Sequence, residues 1–304
     1  MATMAFGPSG FGFAAVVALC VFGLMAKRYR FSLRAFLVIT TLFGVWLGLK
    51  VSYDRKLQKA ISTLTDAGGH LAMQDRSPNF PWGIWADNYN IDFYNLKKPL
   101  TIDEFSCLEK FSPYSIRSLD LNNTGATDTD LTFLRELRRI RTLDLANEVY
   151  FGGTPIPIRV QNRISDDGIQ QLQALKSLVG VDLDGTDVTD KCIDYLIELP
   201  NLRWIKLNGT RVTGAGMARL GRLKDLGVLE LNGCPISHEG ISELSQLANV
   251  TCFGLYNSGI TDADLDLLNA MPQIDIIRIA KRDVSQEAVK RFSDAHPKCK
   301  VEWQ

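Results

Sequence analysis

Asp120, Asp144 and Asp182 each sit between apolar residues at one recurring position, which Lys206, Glu230, Gly254 and Arg278 occupy further on. Carboxylates stacked side by side repel unless a cation or a basic partner meets them. Two readings stand: contact with a basic ligand, or a repeated L-D-L pattern that water screens. Covalent and metal chemistry has less to work with. The three histidines, His70, His238 and His296, are far apart in the chain, and the six cysteines include no C-x-x-C pair. Buried free thiols are the ordinary reading of such cysteines, although a Cys234–Cys252 bridge stays open in an oxidising compartment. No H-E-x-x-H, G-x-S-x-G, P-loop or G-x-G-x-x-G is present. Gly214 and Gly216 fall where a helix begins, so packing explains them better than phosphate binding. No cofactor and no metal is expected, and the balance points away from an enzyme. Lys+Arg and Asp+Glu number 34 each, so no net charge draws the chain toward nucleic acid.

The acidic positions are set by a repeat. Segments of 24 residues begin at Leu178, Leu202, Leu226 and Val250, and the register extends back to Ile116 and Ile140 and forward to Ile274. Apolar residues at period two open each copy (Leu202, Ile205, Leu207), predicting a short strand with one buried face. Asn-Gly or Asp-Gly then marks a turn. Val188-Thr189, Val212-Thr213 and Ile236-Ser237 offer a hydroxyl to cap a helix, and acids such as Asp190 and Asp262 suit its first turn. A stripe such as Ile193, Leu196 and Leu199 predicts the helix's buried side. Each unit leaves an apolar face that only its neighbour can cover, which predicts a solenoid with a parallel sheet inside and helices outside.

The pattern, with its T/C-x-[IV]-[TS]-D signature, resembles the leucine-rich-repeat family over residues 91–304. The resemblance implies an α/β leucine-rich-repeat solenoid of about seven to eight repeats, 91–294, closed by a terminal cap at 295–304. The family's ninth repeat position commonly holds an asparagine, whereas Thr124, Thr186, Thr210, Cys234 and Ser258 stand here, similar to its bacterial and cysteine-containing subtypes. The repeat from Ile140 carries 38 residues, 14 more than its neighbours, and the excess spans 148–163.

Residues 1–53 read as a membrane anchor of two transmembrane helices, about 6–26 and 34–51. Phe11–Ala26 and Ala35–Leu49 are uncharged, and Trp46 and Tyr53 suit an interface. Lys27, Arg28, Arg30 and Arg34 in the connecting loop place that loop in the cytoplasm and the repeats on the non-cytoplasmic side. The R-F-S-L-R block is similar to anchors of bacterial membrane-bound leucine-rich-repeat proteins, which implies the same orientation. Residues 54–90 follow as a juxtamembrane helix and N-terminal cap.

Between the apolar strand positions, side chains face the concave wall. Trp204, Lys206 and Tyr256 are the expected anchors for a partner, with Asp182, Asp184, Glu230 and Arg278 beside them. Tyr150 and Phe151 of the insert are further candidates. The expectation is a non-enzymatic, membrane-anchored protein binding another protein or a cell-envelope ligand. A membrane-tethered cytoplasmic adaptor, similar to ubiquitin-ligase substrate receptors, is the alternative, and a hydrolase comes last.

Overall fold

The computed structural model describes residues 33–74, 88–93, 99–108, 116–147, 150–151, 154–155 and 160–304. The chain divides into two units, Met1–Lys56 and Leu57–Gln304. The first expected span, 6–26, lies outside the described residues. The second lies on a single helix, α1 (Leu33–Asp66), which continues without a break through the charged stretch after Lys50. Among the described residues no helix is long and apolar enough to cross a membrane. The uncharged stretch 35–49 is shorter than the roughly 20 residues a bilayer crossing needs. Within the second unit the end of α1 buries Leu57, Ala60 and Leu64. Gly68, at φ 103°, ends it in a left-handed conformation open to glycine.

Ten strands form one sheet in the order β1 (His70–Gln74), β2 (Asn88–Asp92), β3 (Ile116–Asp120), β4 (Thr142–Asp144), β7 (Gly180–Asp182), β8 (Trp204–Lys206), β9 (Val228–Glu230), β10 (Cys252–Leu255), β11 (Ile276–Ile279) and β12 (Lys300–Trp303). Only β1 pairs antiparallel; every later neighbour is parallel. The predicted period-two positions form a register-matched row, Leu119, Leu143, Val181, Ile205, Leu229, Phe253 and Ile277, each at most 1 % exposed. Burying each side chain of this size contributes about 1.5–3 kcal/mol. This is a leucine-rich-repeat-like α/β fold. At its C-terminal edge β12 adds a further parallel strand, with Val301 beside Ile277, and His296 stacks on Phe292 at 4.3 Å.

The helical returns are shorter than the sequence suggests. Short α-helices, α2 (Ile102–Leu108), α3 (Asp166–Gln170), α4 (Cys192–Leu196), α5 (His238–Leu244), α6 (Asp262–Leu267) and α7 (Gln286–Ala295), alternate with 3₁₀ turns at Asp130–Glu136 and Met217–Arg222. A 24-residue unit leaves only a turn or two for the return, and the tighter 3₁₀ form fits that length. The hydroxyls of Ser165, Ser237, Thr261 and Ser285 do cap helices. The neighbouring aspartates have a second task. Asp166 accepts from the backbone and hydroxyl of Thr189 (3.0 and 2.7 Å), Asp190 from Thr213 (3.0 and 2.6 Å), and Asp262 from Ser285 (2.7 and 2.6 Å). Each [TS]-D pair therefore staples one repeat to the next, in addition to favouring its helix dipole. These bonds hold the Asp262 carboxyl below its ordinary range.

The insert ends earlier than 163. Asn162 is buried and returns the chain to the repeat register. Its side-chain carbonyl accepts from the backbones of Thr124 and Ala126 (3.1 and 2.9 Å), and its amide donates to the carbonyls of Leu121 and Leu145 (2.8 and 2.9 Å). Asn147 and Asn162 close the neck of the insert: Asn147 donates to the Asn162 carbonyl at 2.9 Å, and the Asn162 N–H returns to Asn147 Oδ1 at 2.7 Å. Asn162 thus occupies the ninth repeat position, where Thr124 and Thr186 stand in the neighbouring repeats. Inside the insert β5 (Tyr150–Phe151) and β6 (Thr154–Pro155) pair antiparallel as a two-stranded hairpin.

Candidate binding face

Strand pleating puts one residue of each short strand into the core and its two neighbours on the sheet's other, open face, and β8 shows it: Ile205 is buried, while Trp204 and Lys206 are half-buried. Parallel register aligns these outward residues into rows. One row runs Asp120, Asp144, Asp182, Lys206, Glu230, Gly254, Arg278, Glu302, as the sequence predicts up to Arg278.

The acidic run in that row has internal partners. Asp120, Asp144 and Asp182 each accept the backbone N–H two residues on, from Asn122, Ala146 and Asp184. Lys206 reaches back one strand to Asp182 at 2.6 Å. Burial alone pulls the Lys206 ammonium down, but Asp182 and its acidic neighbours outweigh it and leave Lys206 above its ordinary value. Further along, Arg278 pairs with both Glu302 and Glu230. The second pairing crosses the β10 strand, and it is open because Gly254 stands between. A Cβ there would meet the Glu230 carboxylate and the Asn232 amide.

A glycine also seats Trp204. Its indole lies over Gly180 on β7, where a Cβ would fall within the ring. Lys206 Nζ stands 5.9 Å from the ring centre, close enough for a cation–π contribution. Tyr256 is different: it is 39 % exposed and among the few exposed large apolar side chains of the described residues. Its backbone ends a polar ladder that the sequence did not reveal. Asp184 accepts the Asn208 N–H, Asn208 the Asn232 N–H, and Asn232 the Tyr256 N–H, each at 2.8 Å. Burial, and then the neighbouring Asp182 charge, push the Asp184 carboxyl up to about 7, against the opposing bonds from Asn208.

The structure therefore brings Trp204, Lys206, Asp182 and Asp184 into one cluster on β7, β8 and the turn after β7. Glu230 and Arg278 form a second, and Tyr256 lies at the end of the ladder. Tyr150 and Phe151 sit apart on the insert's hairpin. Elsewhere the thiols are poorly placed for nucleophilic work. Cys107, Cys192, Cys234, Cys252 and Cys299 form no disulfide, burial raises Cys192 well above its ordinary value, and Cys299 is pushed up to about 11. His238 pairs with Asp264 at 2.5 Å across a repeat junction. Gly214 closes against the Gly240 backbone, where a Cβ would not fit, and Gly216 takes a left-handed φ of 76° at the start of the next return. Among the described residues no group of three or more His, Cys, Asp or Glu side chains is placed to hold a metal ion.

No protein-family model matches the chain, and no curated protein matches it in sequence. Among solved structures it is similar to an internalin from Listeria monocytogenes, at 15 % identity over 72 % of this chain with a TM-score of 0.47. Internalin C2 of the same organism gives 19 % identity over 66 % of this chain and a TM-score of 0.42. A leucine-rich-repeat protein of Leptospira interrogans gives 15 % over 64 % and a TM-score of 0.36. The chain spans 61 %, 84 % and 62 % of those three chains, respectively.

Proposed function

We propose that this chain is a non-enzymatic binding protein whose open sheet face recognises another protein or a cell-envelope component. The observation that carries the reading is the set of register-matched rows of outward side chains. A face built only to be solvated has no call for a half-buried indole, a cross-strand Lys–Asp pair and an exposed tyrosine held on one rigid sheet. Aromatic and basic side chains on a preorganised surface are what partner recognition uses, because little conformational freedom remains to be lost. Tyr256 is the leading contact, and Trp204 with Lys206 forms the second. Tyr150 and Phe151 extend the surface from the insert.

Residues 1–53 serve, in this reading, as the membrane anchor. The uncharged runs 11–26 and 35–49, with basic residues between them, motivate it: Arg34 and Lys50 bracket the shorter run and can snorkel, and two crossings with the basic loop inside would leave the repeats outside the cytoplasm. Two experiments test the two halves. Tyr256→Ala removes an exposed side chain, so it lowers partner capture while the unfolding midpoint stays within about 1 °C of wild type; unchanged capture contradicts the assigned face. Lys224→Cys introduces a thiol at an exposed site. On intact cells a membrane-impermeant maleimide labels it if the repeats face outward, and labelling confined to lysed cells contradicts that orientation.

A further inference from the structure

Across the described repeats, basic side chains pair with acids one repeat away: Lys191 with Asp167, Lys206 with Asp182, Arg211 with Asp187, Arg219 with Asp194, Arg278 with Glu302 and Arg291 with Asp266. One row breaks this habit. At the second residue of β3 and the residues just before β4, β7 and β8, a ladder of backbone bonds joins Arg117 to Arg141, Arg141 to Val179 and Val179 to Arg203, each at 2.7 Å. Three arginines thus stand on four successive strands. Among the described residues none of Arg117, Arg141 and Arg203 has a side-chain hydrogen bond or ion pair.

They line a cleft of about 410 Å³, together with Arg139, Asn201 and a single acid, Asp225. Parallel strands are about 4.8 Å apart, so Arg117 and Arg141 are near neighbours, while Arg203 stands about 10 Å beyond Arg141 across the small Val179. Like charges this close are unfavourable unless something of opposite charge sits among them. Guanidinium groups present planar forks that match the two oxygens of a carboxylate or phosphate, and the site therefore favours oxyanions over simple halides.

We propose that this strand-entry edge is an anion site for a ligand bearing two or more phosphate or carboxylate groups, separate from the open-face partner surface. Pyrophosphate and tricarballylate are suitable probes, titrated into the full chain at low ionic strength by calorimetry. Binding of pyrophosphate alone assigns a phosphoryl ligand, of tricarballylate alone a carboxylate one, and of both the shared oxyanion chemistry. Arg141→Gln and Arg203→Gln each weaken the binding at least about tenfold, as loss of a charge-assisted bond does. Arg211→Gln, which removes an equal charge outside the cleft, leaves it unchanged. All three residues are exposed, so unfolding midpoints stay at the wild-type value and report that the variants are folded. Failure of both probes to bind overturns the site, as does an equal loss in Arg211→Gln, which would reduce it to a general charge effect.

Discussion

At the scale of single residues, two carboxylates and two glycines define the open face. Asp182 is buried and paired with Lys206, which leaves Asp184 as the neighbour that carries the cost of a second negative charge. Its folded value of about 7 stands above the ordinary 3.8, so the folded chain binds a proton that the unfolded chain has released in that interval. Stability from this group therefore rises as pH falls from about 7 toward 4, and is lost as pH rises through 7. Asp262 and Asp264 are shifted the other way, so their contribution is present above the ordinary carboxylate value and lost only below it, in a separate window. Denaturant titrations at pH 8 and pH 5 test this: wild type gains stability on acidification relative to Asp184→Asn, and parallel curves contradict it. Gly180 gives a second prediction. Gly180→Ala drives the Trp204 indole off its seat at a cost of about 1–3 kcal/mol. The measurable sign is a red-shifted emission that is absent when Trp204→Phe is introduced as well. The aspartate row was legible because L-D-L recurs at a fixed offset. The glycines were not, since a residue without a side chain gives no sign of what its neighbour lays across it.

At the scale of elements, the repeat is a strand, a turn and a return held together by polar bonds between successive units. Strands were legible because period-two alternation is local. The 3₁₀ returns were not, because the choice between 3₁₀ and α depends on the length left for the crossing. Asn162 escaped for a third reason: the insertion separates it from its own strand, β4, although N-R-I-S at 162–165 stands 24 residues before T-D-V-T at 186–189 and parallels it. Its bonds to two neighbouring turns make it the pin that returns the insert to the repeat. Asn162→Ala leaves those backbone groups unpaired in a buried setting and costs about 3 kcal/mol. The same measurement on Asn147→Ala, at the other side of the neck, shows whether the two act as a unit, since a coupled pair loses less in the double variant than the sum of the singles.

At the scale of the whole molecule, the period identified a stacked parallel sheet because each unit can bury its apolar face only against the next. Function was less legible, because recognition depends on which outward residues the register brings side by side. Trp204 and Lys206 stood out by type, but their seating on Gly180 and pairing with Asp182 arise between repeats 24 residues apart. The arginine edge was hidden because its members occupy a position that single repeats spend on ordinary solvated residues. If the open face is the recognition surface, contact must come from it and not from the returns on the opposite side. A photoreactive phenylalanine analogue placed at Tyr256 on that face, and at Glu198, an exposed residue of the return after α4, compares the two sides in one experiment on the full chain in its native cells. Recognition through the open face predicts a discrete crosslinked adduct from position 256 and none from position 198. Equal adducts from both positions, or adducts from 198 alone, would contradict it.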